Sequence, residues 1–349
     1  MYMFKEISIK KYRGISSADI KDCRRINVFF GKNNCGKTSV LEAIFLLSGQ
    51  SNPILPFNVN AFRGYTSLVS ENDVRYIFYN LDTTYPIEIA SEAGGRNLKI
   101  SLIKSVSKTI DIQTLLDTNS KANEKYFGLK LSYEGNDSSE IIIREENSQK
   151  AKVQISKQYK ECMMAEFLHP RMVVSELVAN KLSKMITEKK KENILSVMRV
   201  IEPSVLDIVV ANNTIMVDVG AERLLPVNFM GDGMVKVLMN IITIYECAGG
   251  VALIDEVDNG LHYSLMGVLW RTMIVAAIEN DVQLFVTTHN IDSIKGLNEI
   301  LQTKEFQSDI LSAYKLIKES GGKNADILSA LRYNESTLNY MINQEIELR

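Results

Sequence analysis

Residues Phe30-Gly31-Lys32-Asn33-Asn34-Cys35-Gly36-Lys37-Thr38 match the pattern G-x-x-x-x-G-K-[ST] at every fixed position. Each fixed position has a physical task. Gly31 and Gly36 let the backbone curl into a concave nest of N–H groups. Lys37 supplies a point charge for the β/γ-phosphates, and the Thr38 hydroxyl is a ligand for Mg²⁺. Ile26-Asn27-Val28-Phe29-Phe30 reads as a buried strand entering the loop. Ser39 to Leu47 reads as an apolar helix leaving it, so the helix N-terminus points at the phosphates. The expected contact stretch is Gly31, Lys32, Asn33, Asn34, Cys35, Gly36, Lys37, Thr38 and Ser39, and the expected ligands are ATP and Mg²⁺.

A chain of 349 residues suits one large α/β domain with insertions, or two modest domains. Its net charge of −2 makes no global case for nucleic acid or membrane binding. Met1-Tyr2-Met3-Phe4-Lys5-Glu6 passes straight into strand-like alternation, and no apolar run reaches membrane-spanning length. Cys23, Cys35, Cys162 and Cys247 are scattered, which fits reduced thiols and a cytoplasmic location. The three histidines, His169, His262 and His289, are too dispersed to suggest a metal centre, and His169 beside Pro170 reads as structural.

Along the chain, residues 4–48 read strand, turn, strand, strand, phosphate loop, helix. Short alternating runs follow, at Val74-Arg75-Tyr76-Ile77, Ile87-Glu88-Ile89, Leu98 to Leu102 and Ile141-Ile142-Ile143, with turn-rich pieces such as Glu134 to Ser139 between them. From Ser175 to Ile201 the apolar spacing is helical, interrupted by Lys189-Lys190-Lys191, which reads as a solvated turn. Residues 203–228 predict two short strands, and Met230 to about Leu297 a dense α/β segment. The expected organisation is a first core half at 1–50, a β-rich insertion continuing the N-terminal lobe at 51–174 and a helical arm at 175–202. The second core half takes 203–300 and an αβ tail 301–349.

A phosphate loop needs a carboxylate at a strand end, and Val251-Ala252-Leu253-Ile254-Asp255-Glu256 supplies two. The apolar run predicts a central parallel strand buried on both faces, whose carboxyl end lies at the ligand edge of a doubly wound sheet. Asp255 is the expected Mg²⁺ ligand, with Glu256 orienting and deprotonating the attacking water. Gln283-Leu284-Phe285-Val286-Thr287-Thr288 predicts a neighbouring parallel strand, and the His289 imidazole at its end could bond the γ-phosphate or the water.

With these residues placed, the chain resembles an ATPase of the ATP-binding-cassette superfamily, in its RecF, SMC and overcoming-lysogenization-defect (OLD) branch. The carrying stretches are Tyr12-Arg13-Gly14-Ile15, Gly31 to Ile44, Met230-Gly231-Asp232-Gly233, Leu253 to Glu256, Asp258-Asn259-Gly260-Leu261-His262 and Thr287-Thr288-His289-Asn290. The resemblance implies a P-loop NTPase of ABC-ATPase type with a β-rich insertion and a helical arm. It implies that Gly231, Asp232 and Gly233 stand in the signature motif, which closes on the ATP of a second subunit. Gly231 replaces the usual serine and Asp232 the usual glycine, as in the OLD-like branch. Arg13 resembles the arginine that approaches the nucleotide from the first strand pair.

OLD nucleases carry a C-terminal TOPRIM domain, for which the 60 residues after His289 (349 minus 289) are too few. The ending Met341 to Arg349 resembles stand-alone ATPases of two-gene anti-phage systems such as the PARIS type. The resemblance therefore implies a slow, regulatory ATPase that forms a homodimer or higher oligomer around ATP. It would control a separate TOPRIM- or DUF4435-like effector in response to a nucleic-acid or phage-protein trigger, with no membrane involved. The alternative is a RecF/SMC-like repair or recombination ATPase that clamps DNA. A transporter motor fits poorly, because 194 residues separate Lys37 from Gly231 (231 minus 37) and the signature serine is absent.

Overall fold

The computed structural model describes residues 4–67, 70–92, 95–104, 126–133, 137–144, 151–157, 159–306, 309–318 and 326–344. Strands β1 (Ile7–Tyr12) and β2 (Ile15–Ile20) form a hairpin, and β3 (Ile26–Phe30) runs into the phosphate loop and α1 (Lys37–Ser48). After α2 (Leu55–Phe62) and α3 (Glu71–Arg75) comes an antiparallel meander: β4 (Ile87–Ser91), β5 (Arg96–Ile103), β6 (Tyr126–Tyr133), β7 (Asp137–Arg144) and β8 (Ala151–Gln154). Strand β9 (Ala165–Leu168) then leads to helices α4 (Glu176–Thr187) and α5 (Lys191–Ile201). A small sheet of β10 (Asp207–Ala211), β11 (Thr214–Asp218) and β12 (Leu225–Pro226) follows, then α6 (Asp232–Glu246). The chain closes through β13 (Val251–Ile254), α7 (Met266–Glu279), β14 (Gln283–Thr288), α8 (Ile291–Gln302), β15 (Leu311–Lys318), β16 (Ile327–Tyr333) and α9 (Glu335–Asn343).

One sheet of 13 strands, ordered β8-β7-β6-β5-β4-β1-β2-β16-β15-β3-β14-β13-β9, organises the described residues. Its centre is parallel: β15, β3, β14, β13 and β9 run the same way, so their carboxyl ends meet at one edge. The meander extends the same sheet from β1 outward. Because side chains alternate across a strand, the parallel strands feed two cores. Ile26, Val28, Ala252, Ile254, Leu284 and Val286 join the core under α6 and α7, whereas Phe29, Val251, Leu253 and Phe285 join the core under α1. Strands buried on both faces read as unbroken apolar runs, which is why β13 and β14 were legible.

Two expectations change, at residues 74–77 and 203–228, while the interruption read at Lys189-Lys190-Lys191 is present between α4 and α5. Val74-Arg75-Tyr76-Ile77 alternates like a strand, yet Ser70 and Asp73 form a reciprocal capping box that starts α3. The helical arm is broken where Lys189 turns to φ 63°, between α4 and α5. Four lysines around that break are paired with acids: Lys181 with Glu166, Lys184 with Glu246, Lys190 with Glu188 and Lys191 with Asp207. Residues 203–228 hold a third, two-residue strand beyond the two expected. The turn residues Glu134-Gly135-Asn136 and the last five residues of the tail lie outside the described residues. No helix among the described residues is long and apolar enough to cross a membrane.

Candidate functional site

The phosphate loop folds as its glycines dictate. Gly31 sits at φ 143° and Gly36 at φ 103°, a region that favours glycine. A Cβ on Gly31 would lie 2.7 Å from the Leu316 carbonyl oxygen, so strand β15 closes that position to any side chain. Lys32, Asn33 and Asn34 are exposed, while Cys35 is buried with its Sγ 4.0 Å from Lys37 Nζ. Lys37 Nζ donates to the carbonyl oxygens of Gly31 and Lys32, each at 2.9 Å, which holds the ammonium across the mouth of the loop.

Helix α1 leaves the loop buried nearly all round. Its one internal charge, Glu42, is fully buried, and an unpaired carboxylate there would be costly. Arg13 Nε lies 2.7 Å from its Oε2, Arg63 Nε 2.7 Å from its Oε1, and the Tyr12 hydroxyl donates at 3.2 Å. Arg13 is thus occupied by Glu42 and by the carbonyl oxygens of Val59 and Tyr76. The arginine that touches the loop's exit is Arg63, whose Nη2 donates to Ser39 Oγ at 3.2 Å. Sequence reasoning missed Arg63 because its pairing partner lies 21 residues away on another helix.

The second half of the site stands at the carboxyl ends of β13 and β14. Asp255 is buried, and its Oδ2 accepts from the Thr38 hydroxyl at 2.8 Å, although the two residues lie 217 apart in sequence. Its Oδ1 accepts from the Thr287 hydroxyl at 2.5 Å. A hydroxyl and a carboxylate in contact at a phosphate loop are hard oxygen donors. They suit a Mg²⁺ that takes its remaining ligands from phosphate and water. Glu256 adopts φ 50°, and its N–H donates to Thr287 Oγ1 at 2.8 Å. Asp258 is buried, which pushes its carboxyl pKa up against the opposing pull of the Thr288 hydroxyl, its own backbone, His289 and Lys236. His289 itself is exposed at the end of β14.

Two further groups stand near these carboxylates: His169, which the sequence reads as structural, and Lys236, which it does not single out. His169 follows β9, whose Leu168 carbonyl accepts the Asp255 N–H at 3.0 Å. Its ring stacks on Phe62 at 4.9 Å, and its buried Nδ1 has no hydrogen-bond partner among the described residues. Burial, helped by Arg171 and opposed by Asp255, holds its pKa down. Lys236, one turn inside α6, donates from Nζ to the Asp255 carbonyl oxygen at 3.3 Å. Burial lowers its pKa while Asp255, Glu256 and Asp258 pull it up. No local motif marks either residue.

Gly231 caps α6 at φ 88°, ψ 152°, a conformation essentially reserved for glycine. A serine could take that backbone only under strain. Asp232 is exposed in the first turn of α6, and a Cβ on Gly233 would approach Leu261 at 3.1 Å and the Gly260 carbonyl at 3.2 Å. Asp232 and Gly233 therefore lie against Gly260 and Leu261, in the loop that follows the carboxylates.

A phosphate loop and a strand-end carboxylate meeting at the carboxyl edge of a parallel sheet define a P-loop NTPase. The family profile described as "AAA domain, putative AbiEii toxin, Type IV TA system" matches residues 26–294, and the chain belongs to that family. It is 24% identical over 340 residues to an "ATP/GTP phosphatase" of Helicobacter pylori, covering 87% of this chain and 90% of the relative. It is also 31% identical over 100 residues to the "DNA replication and repair protein RecF" of Pseudoalteromonas translucida, covering 27% and 25%. Among solved structures, the SMC head domain with an extended coiled coil bound to the C-terminal domain of ScpA, from Pyrococcus furiosus, superposes with a TM-score of 0.51. That likeness has 8% identity over 99% of this chain and 100% of that one. An SMC head bound to the C-winged helix domain of ScpA gives 0.50 at 12% identity, covering 95% and 97%. These likenesses show the fold.

Proposed function

We propose that the protein binds and hydrolyses ATP, closes on a second copy of itself around the nucleotide, and through that closure controls a separately encoded effector. The observation that carries the catalytic part is the Thr38–Asp255 contact, which joins the two halves of a triphosphate site across 217 residues. The Helicobacter relative, named a phosphatase of ATP and GTP over nearly its full length, supports the same reaction.

In this reading the loop N–H groups and Lys37 hold the phosphates, and Lys37 must first release the carbonyls of Gly31 and Lys32. Thr38 and Asp255 would hold Mg²⁺, which neutralises charge developing on the phosphate oxygens. Glu256 takes the proton of the attacking water, His289 faces the γ-phosphate, and Gly231–Gly233 meet the nucleotide of the partner copy. The separate effector, which we read as a TOPRIM-type nuclease in anti-phage defence, rests on the resemblance of the sequence to stand-alone OLD-like ATPases.

Glu256→Gln tests the reading. It should bind ATP as the parent does, turn over about 10²–10⁴-fold more slowly, and run as a dimer with ATP by light scattering. Lys37→Ala should lose ATP binding and stay monomeric. Unaltered turnover in Glu256→Gln removes Glu256 as the base, and a monomer with ATP bound removes the closure.

A second reading, a RecF/SMC-like ATPase that clamps DNA, draws on the RecF relatives. The pairing of Lys181, Lys184, Lys190 and Lys191 with acids weakens it, because those lysines were its main candidate for a basic stripe.

A further inference from the structure

The peptide bond between Asp255 and Glu256 is held at both ends by different elements. Its N–H, carried by Glu256, donates to Thr287 Oγ1 on β14 at 2.8 Å. Its C=O, carried by Asp255, accepts from Lys236 Nζ on α6 at 3.3 Å. This peptide also enters a residue at φ 50°, a left-handed conformation that glutamate adopts only when its surroundings hold it there. The plane of the peptide fixes the direction in which the Glu256 side chain leaves the backbone. Lys236 and Thr287 together thus hold the peptide from which the Glu256 side chain departs.

Lys236 is four residues from Asp232, on the first turns of the helix that begins at Gly231. Beside it lies a cavity of about 360 Å³, walled by His169, Asp232, Val235, Lys236, Met239 and Asn259. Helix α6 therefore borders open space on that side, while Gly233 packs against Gly260 and Leu261 on another.

We propose that Lys236 is a positioning residue that couples the start of α6 to Glu256 through the Asp255–Glu256 peptide. The inference rests on the reading that Gly231–Gly233 meet the partner copy's nucleotide. Closure displaces the first turn of α6, Lys236 carries the displacement to the Asp255 carbonyl, and Glu256 turns toward the water. Hydrolysis then waits for assembly, with no contact between Lys236 and nucleotide.

Lys236→Met keeps the volume and removes the donor. The expected result is ATP affinity and KM within about twofold of the parent and kcat lower by about tenfold, the size of one lost charge-assisted hydrogen bond. In the Glu256→Gln background the same substitution should leave the ATP-dependent dimer intact. Lys236→Arg, which restores charge and donor, should recover part of the rate. A kcat within twofold of the parent overturns the proposal, and so does a fall in ATP affinity that matches the fall in rate. If Lys236→Met does not fold, Lys236→Gln is judged by the same readouts. Failure of Glu256→Gln alone to dimerise with ATP removes the assembly reading and this coupling with it. A normal dimer with undiminished Lys236→Met turnover removes the coupling alone.

Discussion

Gly231 shows how one backbone angle decides side-chain chemistry. At φ 88°, ψ 152° a serine carries a strain of about 1–3 kcal/mol, so Gly231→Ser should lower stability in urea unfolding rather than restore a serine contact to phosphate. An unaltered midpoint would show that the turn relaxes freely. Asp258 gives a residue-scale pH prediction. Burial raises its folded pKa, so its contribution to stability is fully present below the unfolded value and is lost as pH rises through the folded one. Asp258→Asn cannot ionise. Its melting temperature relative to the parent should therefore climb between pH 4 and pH 8, and a constant difference would refute the shift. The residues that the sequence singles out, Lys37, Thr38, Asp255 and Glu256, sit in contiguous motifs. Arg63, His169 and Lys236 owe their places to partners on other elements, which no window of sequence contains.

Among the elements, α1 is the one whose position everything else serves. Its start faces the phosphate site, its middle is pinned by Glu42 to Arg13 and Arg63, and its last carbonyls, of Leu47 and Ser48, accept from Arg96 Nη1 on β5 at 2.9 and 3.0 Å. Glu42→Gln leaves the arginines without their counter-charge. It should cost about 3 kcal/mol of unfolding free energy, the lower part of the range for a broken buried pair, because Arg63 is partly exposed. A loss under 1 kcal/mol would show that water replaces the carboxylate. The helix and the strands β3, β13 and β14 were legible because apolar residues dominate them, with Asn27, Glu42 and the ends of β14 among the polar exceptions. Helix α3 was not, since its alternation spoke for a strand while a capping box, a four-residue signal, settled the matter.

At the scale of the molecule, the described residues form a mixed sheet of 13 strands with the phosphate loop and Asp255 at the carboxyl end of its parallel centre, the frame on which the proposed closure would act. The net charge of −2 and the paired lysines of the helical arm set the electrostatic expectation. Charge reversal at Lys184 and Lys189 should leave any duplex-DNA affinity, and its dependence on salt concentration, unaltered within about twofold. A shallower salt slope in that variant would favour the clamp reading. The sheet's parallel centre follows from the sequence order of its strands and helices. Its extension through the meander does not, because alternation in a strand says nothing about which neighbour it will find.

The Arg96 contact has a consequence for how the chain can be divided. The meander that carries Arg96 supplies the donors for the far end of the phosphate helix, and Glu161, beyond the last meander strand, completes that guanidinium's pairing. Excising the meander to obtain a minimal nucleotide-binding unit strips two helix-end carbonyls of their donors and strands a carboxylate. A fragment meant to keep the far end of α1 as it stands here therefore includes β5 and Glu161.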